Sequence, residues 1–195
     1  MFRKILLAFV TLSFVACSSG GTAQPTPSAN DIETEEEAVY AALIHAMYPA
    51  EMVVLMDQTQ TDITDSALGE TLQRVLQEMG TVSAETVDNF RVRNDRAYPL
   101  RLDMTLGVPY VLLSEDNMRQ IFSENQNGWD VFYGRYPNAP GIITLSRVGF
   151  NAALDQALVY IGDQSHWLAG AGYYVLLKKV DGVWTNEQQV MNWIS

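Results

Sequence analysis

Apolar positions along this 195-residue chain follow two regimes, helical spacing up to about residue 136 and strand-like runs from 142 onward. Val39, Tyr40, Leu43, Ile44, Met47 and Tyr48 share one helical face, and Pro49 stops the run. The pairing of Thr34 with Glu37 as a capping box places the start of that helix at Thr34, with Glu35 and Glu36 at its positive end. Met52-Val53-Val54-Leu55-Met56 is a continuous apolar run that predicts a buried strand. After a polar loop over 59–65, Leu68, Leu72, Val75, Leu76 and Met79 predict a second helix, stopped by Gly80. Ser83 caps a third helix carrying Val87 and Phe90, which ends before Pro99. Residues 108–113 read as a strand with Pro109 at its start, and Ser114 caps a helix with Met118, Ile121 and Phe122 inward. A turn over 125–128 precedes a short helix, 129–136, whose Trp129, Phe132, Tyr133 and Tyr136 share a face.

The C-terminal third is β-rich. Strands are predicted over 142–150, 156–161, 173–180 and 183–194, with a type I′ turn at Asp181-Gly182 and a longer hairpin loop at 151–155. A loop over 162–172 joins the second and third of them, where Gly162, Gly170 and Gly172 permit bends or bulges. The pattern predicts an α+β fold: one domain over 32–195, with a four-stranded antiparallel C-terminal sheet covered on one face by the earlier helices.

The N-terminus has a different character. Arg3 and Lys4 precede an apolar run of 12 residues, 5–16, which has the layout of a secretion signal and is too short to span a bilayer. Phe14-Val15-Ala16-Cys17, with the only cysteine of the chain at its end, resembles the lipobox of bacterial lipoprotein precursors, although those favour Leu where Phe14 stands. The resemblance implies a signal peptide over 1–16, acylation of Cys17, a flexible tether over 17–31 and an extracytoplasmic, lipid-anchored location, on the outer membrane if the cell has one. Cleavage after Ala23 is the competing reading. Further along, Leu145-Ser146-Arg147-Val148-Gly149-Phe150-Asn151, the segment from Gln156 to Gly162 and Gly170-Ala171-Gly172-Tyr173-Tyr174 resemble a group of uncharacterised bacterial secreted or lipid-anchored proteins over residues 105–195. That resemblance implies no activity, and the layout is loosely similar to helix-on-sheet folds of the cystatin or NTF2 kind.

Charge narrows the partners. The net charge is −11, from 12 basic and 23 acidic residues, and becomes −13 beyond Cys17 because Arg3 and Lys4 are lost. Such acidity disfavours nucleic acid and anionic lipid surfaces, so membrane contact is expected through the anchor alone. With two histidines, His45 and His166, and loosely spaced Asp57, Asp62 and Asp65, no metal and no cofactor are expected, and His45 reads as a half-buried, hydrogen-bonded helix residue. The cationic cluster of Arg91, Arg93 and Arg96 has Glu85, Asp88 and Asp95 nearby to neutralise it.

No catalytic signature is present. A Ser-His-Asp set from Ser165 or Ser146, His166 and Asp155 is conceivable but disfavoured, because adjacent nucleophile and base rarely have the needed geometry. Arg147, within an apolar strand, calls for a carboxylate, with Asp155 or Glu187 as candidates. Trp167 is a candidate anchor for a partner, and Tyr110, Trp129, Tyr133 and Arg147 are candidate lining for a small-molecule pocket. The sequence therefore leads to a non-enzymatic envelope binding module with an envelope protein as a possible partner. A small-molecule pocket or hydrolase is the second reading, and a purely structural lipoprotein the third.

Overall fold

The computed structural model describes residues 27–61, 66–123 and 127–195, with backbone alone at 66–71. The predicted signal peptide, Cys17, the Ala23 cleavage point, most of the tether, and Asp62 and Asp65 lie outside the described residues.

Helix α1, Ala29–Met47, starts earlier than the Thr34–Glu37 pattern predicts. Ser28 is its cap: the hydroxyl accepts from the Asp31 N–H (3.3 Å), and the Asp31 carboxylate accepts from the Ser28 N–H (2.9 Å). Thr34 instead donates its hydroxyl to the Asn30 carbonyl. The extra turn is held because Ile32 packs on the core, so residues 29–31 belong to the domain and not to a tether. Replacing Ser28 by Ala is expected to cost about 1 kcal/mol of stability, read as a lower urea midpoint.

The α+β class holds, but the sheet differs from the expectation. It has seven strands, and the purely antiparallel four-stranded sheet is only part of it. Strand β1, Val53–Met56, pairs in parallel with β2, Tyr110–Leu113, on one side and β3, Ile142–Leu145, on the other. From β3 the order continues antiparallel through β5, Gln156–His166, β6, Ala169–Val180, and β7, Val183–Ile194. Strand β4, Gly149–Phe150, pairs with β5 off this path. The two early apolar runs join the sheet because a strand covered on both faces has no polar side to alternate.

Two further strand predictions change. The single strand over 142–150 is broken between Leu145 and Gly149, since Leu145 pairs with Ile161 and Gly149 with Leu158, one residue fewer on β5. At the break the Ser146 hydroxyl accepts from the Tyr160 N–H (2.8 Å) and donates to the Arg147 carbonyl (2.9 Å). The expected loop over 162–172 is a tight hairpin instead: β5 runs through His166, and β6 resumes at Ala169. The Asp181-Gly182 turn is as predicted, with φ of 50° and 83°.

Helices cover both faces rather than one, unlike a simple helix-on-sheet layout. Helix α1 lies on the first face over Val53, Leu55, Ile143, Val159 and Val175. On the second face, α2, Ser66–Met79, and α3, Ala84–Arg93, pack against Leu158, Tyr160, Tyr174 and Leu176. The same face at β1–β3 carries α4, Glu115–Phe122, and α5, Gly128–Arg135, against Val54, Leu113 and Ile142. Helix α3 touches β4 so closely that a Cβ on Gly149 would lie 2.4 Å from the Phe90 Cβ and 2.5 Å from its Cα and N. Among the described residues no helix is long and apolar enough to cross a membrane.

Candidate functional site

The two helix pairs on the second face leave a cleft of about 590 Å³ above β3 and β5. It opens beyond the carboxyl ends of the parallel strands, lined by Met56 and the residues after β1, and by Glu115 and Met118 of α4 just after β2. Strand β1 has β2 on one side and β3 on the other, and crevices at such a reversal of strand order commonly bind ligands.

Glycines lie beneath the two rings that line it, Tyr160 and Trp193. Gly162 and Gly172 are cross-strand partners, and Gly170 follows the same face of β6. A Cβ on Gly172 would sit 2.2 Å from Trp193 Nε1 and 2.5 Å from the Tyr160 hydroxyl, and one on Gly170 3.1 Å from Trp193 Cη2. The Trp193 indole therefore lies along β6, one face against glycine backbone, and remains 37 % exposed. Its Nε1–H donates to the Tyr160 hydroxyl at 2.8 Å, which fixes the ring. The Tyr160 proton finds no acceptor among the described residues. Burial, and after it the Asp163 charge, push the Tyr160 pKa up against the opposing Trp193 bond, so the phenol stays a neutral donor.

The walls are polar. The backbone at 57–60 is tied down: the Asp57 N–H donates to the Leu113 carbonyl, the Thr59 N–H to Tyr98 and the Gln60 N–H to Leu145. The side chains of Asp57, Gln58, Gln60 and Gln164 line the cleft with no hydrogen-bond partner among the described residues. Glu115 pairs with Arg119 at 3.0 Å, and Asp163 accepts from the Tyr48 hydroxyl at 2.9 Å. No Lys or Arg is among the described residues that line it.

An apolar groove of about 450 Å³ adjoins the cleft, sharing Met118, Ile142 and Gln164 with it. Trp167, 45 % exposed, meets Phe122 and Trp129 edge-to-face there, with centroids 5.6 and 6.4 Å away. Trp129 is buried, its indole N–H without a partner among the described residues, and His166 stacks on it at 6.4 Å. Tyr133 lies 5.9 Å from Trp129 and donates its hydroxyl to the Ser165 carbonyl.

The predicted pocket of Tyr110, Trp129, Tyr133 and Arg147 is not assembled. Trp129 and Tyr133 are neighbours, whereas the Tyr110 hydroxyl donates to the Arg101 carbonyl and accepts from the Met104 N–H. Arg147 belongs to a buried cluster on the α1 side, and its partner is neither Asp155 nor Glu187. The Arg147 Nε–H donates to both oxygens of Glu36 at 2.8 and 3.0 Å, and its guanidinium stacks 4.5 Å above the Tyr98 ring. Asp155 instead accepts from Asn151, and Glu187 pairs with Lys178. The same Glu36 takes Arg93, which local spacing assigned to Glu85, Asp88 and Asp95. His45 is exposed, not half-buried.

The hydrolase set is not brought together either. Ser165 donates to the Ala169 carbonyl, and Ser146 is buried in the strand break. Asp155 precedes β5 and His166 ends it, so at about 3.3 Å per residue they are roughly 35 Å apart. Among the described residues no three His, Cys, Asp or Glu are grouped to hold a metal.

Trp193, Tyr160, Asp57 and the glutamines did not emerge from the sequence as a site. The available signal was the alternation of Gly170 and Gly172, which makes room for the Trp193 ring rather than a bend. Compared with known protein families, curated proteins and solved structures, the chain matches none.

Proposed function

We propose that this chain is a lipid-anchored, extracytoplasmic recognition protein of the cell envelope, whose domain binds its ligand in the Trp193 cleft without transforming it. One observation carries the reading: a half-exposed indole, pinned by Tyr160 and seated on glycines, faces a cleft whose Asp57 and glutamine side chains have no hydrogen-bond partner among the described residues. Polar groups fixed around an open cleft, with no local pairing to lose, are what a binding site needs. The anchor rests on the lipobox-like segment at Cys17 and the acidic domain behind it. A purely structural role gives no reason for Trp193 to stay uncovered on one face.

Native mass spectrometry of the full chain, extracted gently from its own membranes, tests both parts. The expected spectrum carries acyl mass that is absent from Cys17→Ser, and a small-molecule companion that is absent from Trp193→Ala. An unmodified chain beginning at Gln24 would overturn the anchor. Wild type and Trp193→Ala both seen without a companion mass would count against recognition in the cleft.

A further inference from the structure

We infer that the ligand of the Trp193 cleft is an uncharged pyranose sugar within an oligosaccharide; this rests on the recognition reading above. A pyranose has two apolar C–H faces and a rim of hydroxyls, each both donor and acceptor. The cleft offers the complement of each part. Trp193 presents one flat aromatic face, the other being held against Gly170 and Gly172, so a ring stacks on it without reorganisation. The rim is built of groups that pair with hydroxyls: amides on Gln60 and Gln164 donate and accept, the Asp57 carboxylate accepts, and the Tyr160 phenol has a proton to give. A charged acceptor such as Asp57 makes the stronger bonds to sugar hydroxyls.

The charge around the cleft selects against the competing ligands. Asp57, Glu115 and Asp163 line it, and no described Lys or Arg does. Phosphate, uronate or nucleotide groups meet like charge there, and Arg119, which lines the adjoining groove, is already paired with Glu115 and Asp116. A quaternary ammonium ligand is a worse match, because its usual site encloses the cation with several rings. Here Trp193 is the one exposed ring of the cleft, Tyr160 being buried, and the donors on Tyr160 and the glutamines would face a cation without use. A wholly apolar ligand would leave the same amides and the carboxylate desolvated and unpaired.

Continuity of the groove argues for more than one sugar unit. From the shared Met118, Ile142 and Gln164 the surface runs on to Trp167, a second exposed aromatic. An oligosaccharide stacked on Trp193 would extend along this wall. The combined cleft exceeds what one ring fills, and its larger part alone lies within the roughly 300–1,000 Å³ usual for small-ligand sites.

The test is a titration of the full chain, followed by tryptophan fluorescence and saturation-transfer NMR. The probes are neutral hexose, pentose and N-acetylhexosamine oligosaccharides, a sugar phosphate, a uronic-acid oligomer and choline. The expected result is binding of at least one neutral oligosaccharide with Kd of about 1 mM or tighter, and about tenfold weaker binding or none for the anionic and cationic probes. Trp193→Ala is expected to lose at least about tenfold. Asp57→Asn and Gln60→Ala alter wall side chains without touching the glycines beneath the rings, and each should lose about threefold or more with an unchanged urea midpoint. Those two variants keep the test valid if Trp193→Ala fails to fold. Preferential binding of choline or of an anionic probe that depends on Trp193 would overturn the sugar assignment and leave recognition standing. Probes that all fail to bind, together with a bare chain from native membranes, would overturn both.

Discussion

Replacing Glu36 by Gln is expected to destabilise the domain by about 3–5 kcal/mol, measured by urea unfolding at neutral pH. Glu36 is 7 % exposed and neutralises two guanidinium groups that are themselves largely buried. Besides Arg147 it accepts from Arg93 Nη2 at 2.9 Å and from the Val148 N–H at 2.9 Å, and the Tyr40 hydroxyl lies 3.2 Å away. A neutral amide keeps the volume but leaves both arginines uncompensated in a site where Arg93 Nε has no partner among the described residues. Burial pushes the Glu36 carboxyl up, but the Arg147 hydrogen bond, the Arg93 and Arg147 charges and the Val148 N–H outweigh it, so its pKa falls below the ordinary 4.5. With the folded value below the unfolded one, its contribution is fully present above pH 4.5 and is lost as pH falls through the folded value. The gap in stability between wild type and Glu36→Gln should therefore narrow in acid. A gap that stays constant from pH 7 down to about 3 would show that charge is not what Glu36 contributes.

Gly149→Ala is expected to cost about 3 kcal/mol, because the added methyl meets backbone and not a flexible side chain. Relief requires α3 to move off β4, and several bonds oppose that. Asn89 accepts from the Phe150 N–H at 2.9 Å, while Asn94 accepts from the Arg147 N–H at 2.8 Å and donates to its carbonyl at 3.0 Å. Phe90, fully buried against Tyr174, would be displaced with the helix. Gly134→Ala is the control: it occupies an exposed position of α5 with nothing within 4 Å of its Cβ position, so it should gain about 0.5–1 kcal/mol. Equal effects from the two substitutions would refute the packing argument.

The elements were legible where local rules decide them. Ser83 and Ser114 cap α3 and α4 as their sequence contexts imply, and Asp181-Gly182 makes the tight hairpin. What was not legible is non-local. Val53–Met56 and Tyr110–Leu113 read as strands, but nothing in either run names the other as a parallel neighbour 57 residues away in register. Glu36 sits between Glu35 and Glu37, where an acidic triplet looks like helix-end electrostatics. In fact the three diverge, Glu35 to Lys179 and Trp184, Glu36 to Arg147, and Glu37 to Arg101. Nor does spacing reveal that Gly170 and Gly172 in β6 seat a tryptophan from β7. Gly162, Gly170 and Gly172 mark turns by the usual rule, and only the paired register shows that they form one flat patch.

The sheet order also fixes which part of the chain can begin to fold. Strands β5, β6 and β7 are sequence neighbours joined by short turns, so they close with small loops and little entropy. Strand β1 has only distant parallel partners, and the second of these, β3, gains its place by docking on β5. Contact order therefore favours the β5–β7 meander as the part of the sheet that closes first, with β3 docking on β5 and β1 and β2 joining at the edge that β3 offers. The polarity of the sheet is thus opposite to the polarity of the chain: its earliest strands in sequence are the ones added at its rim.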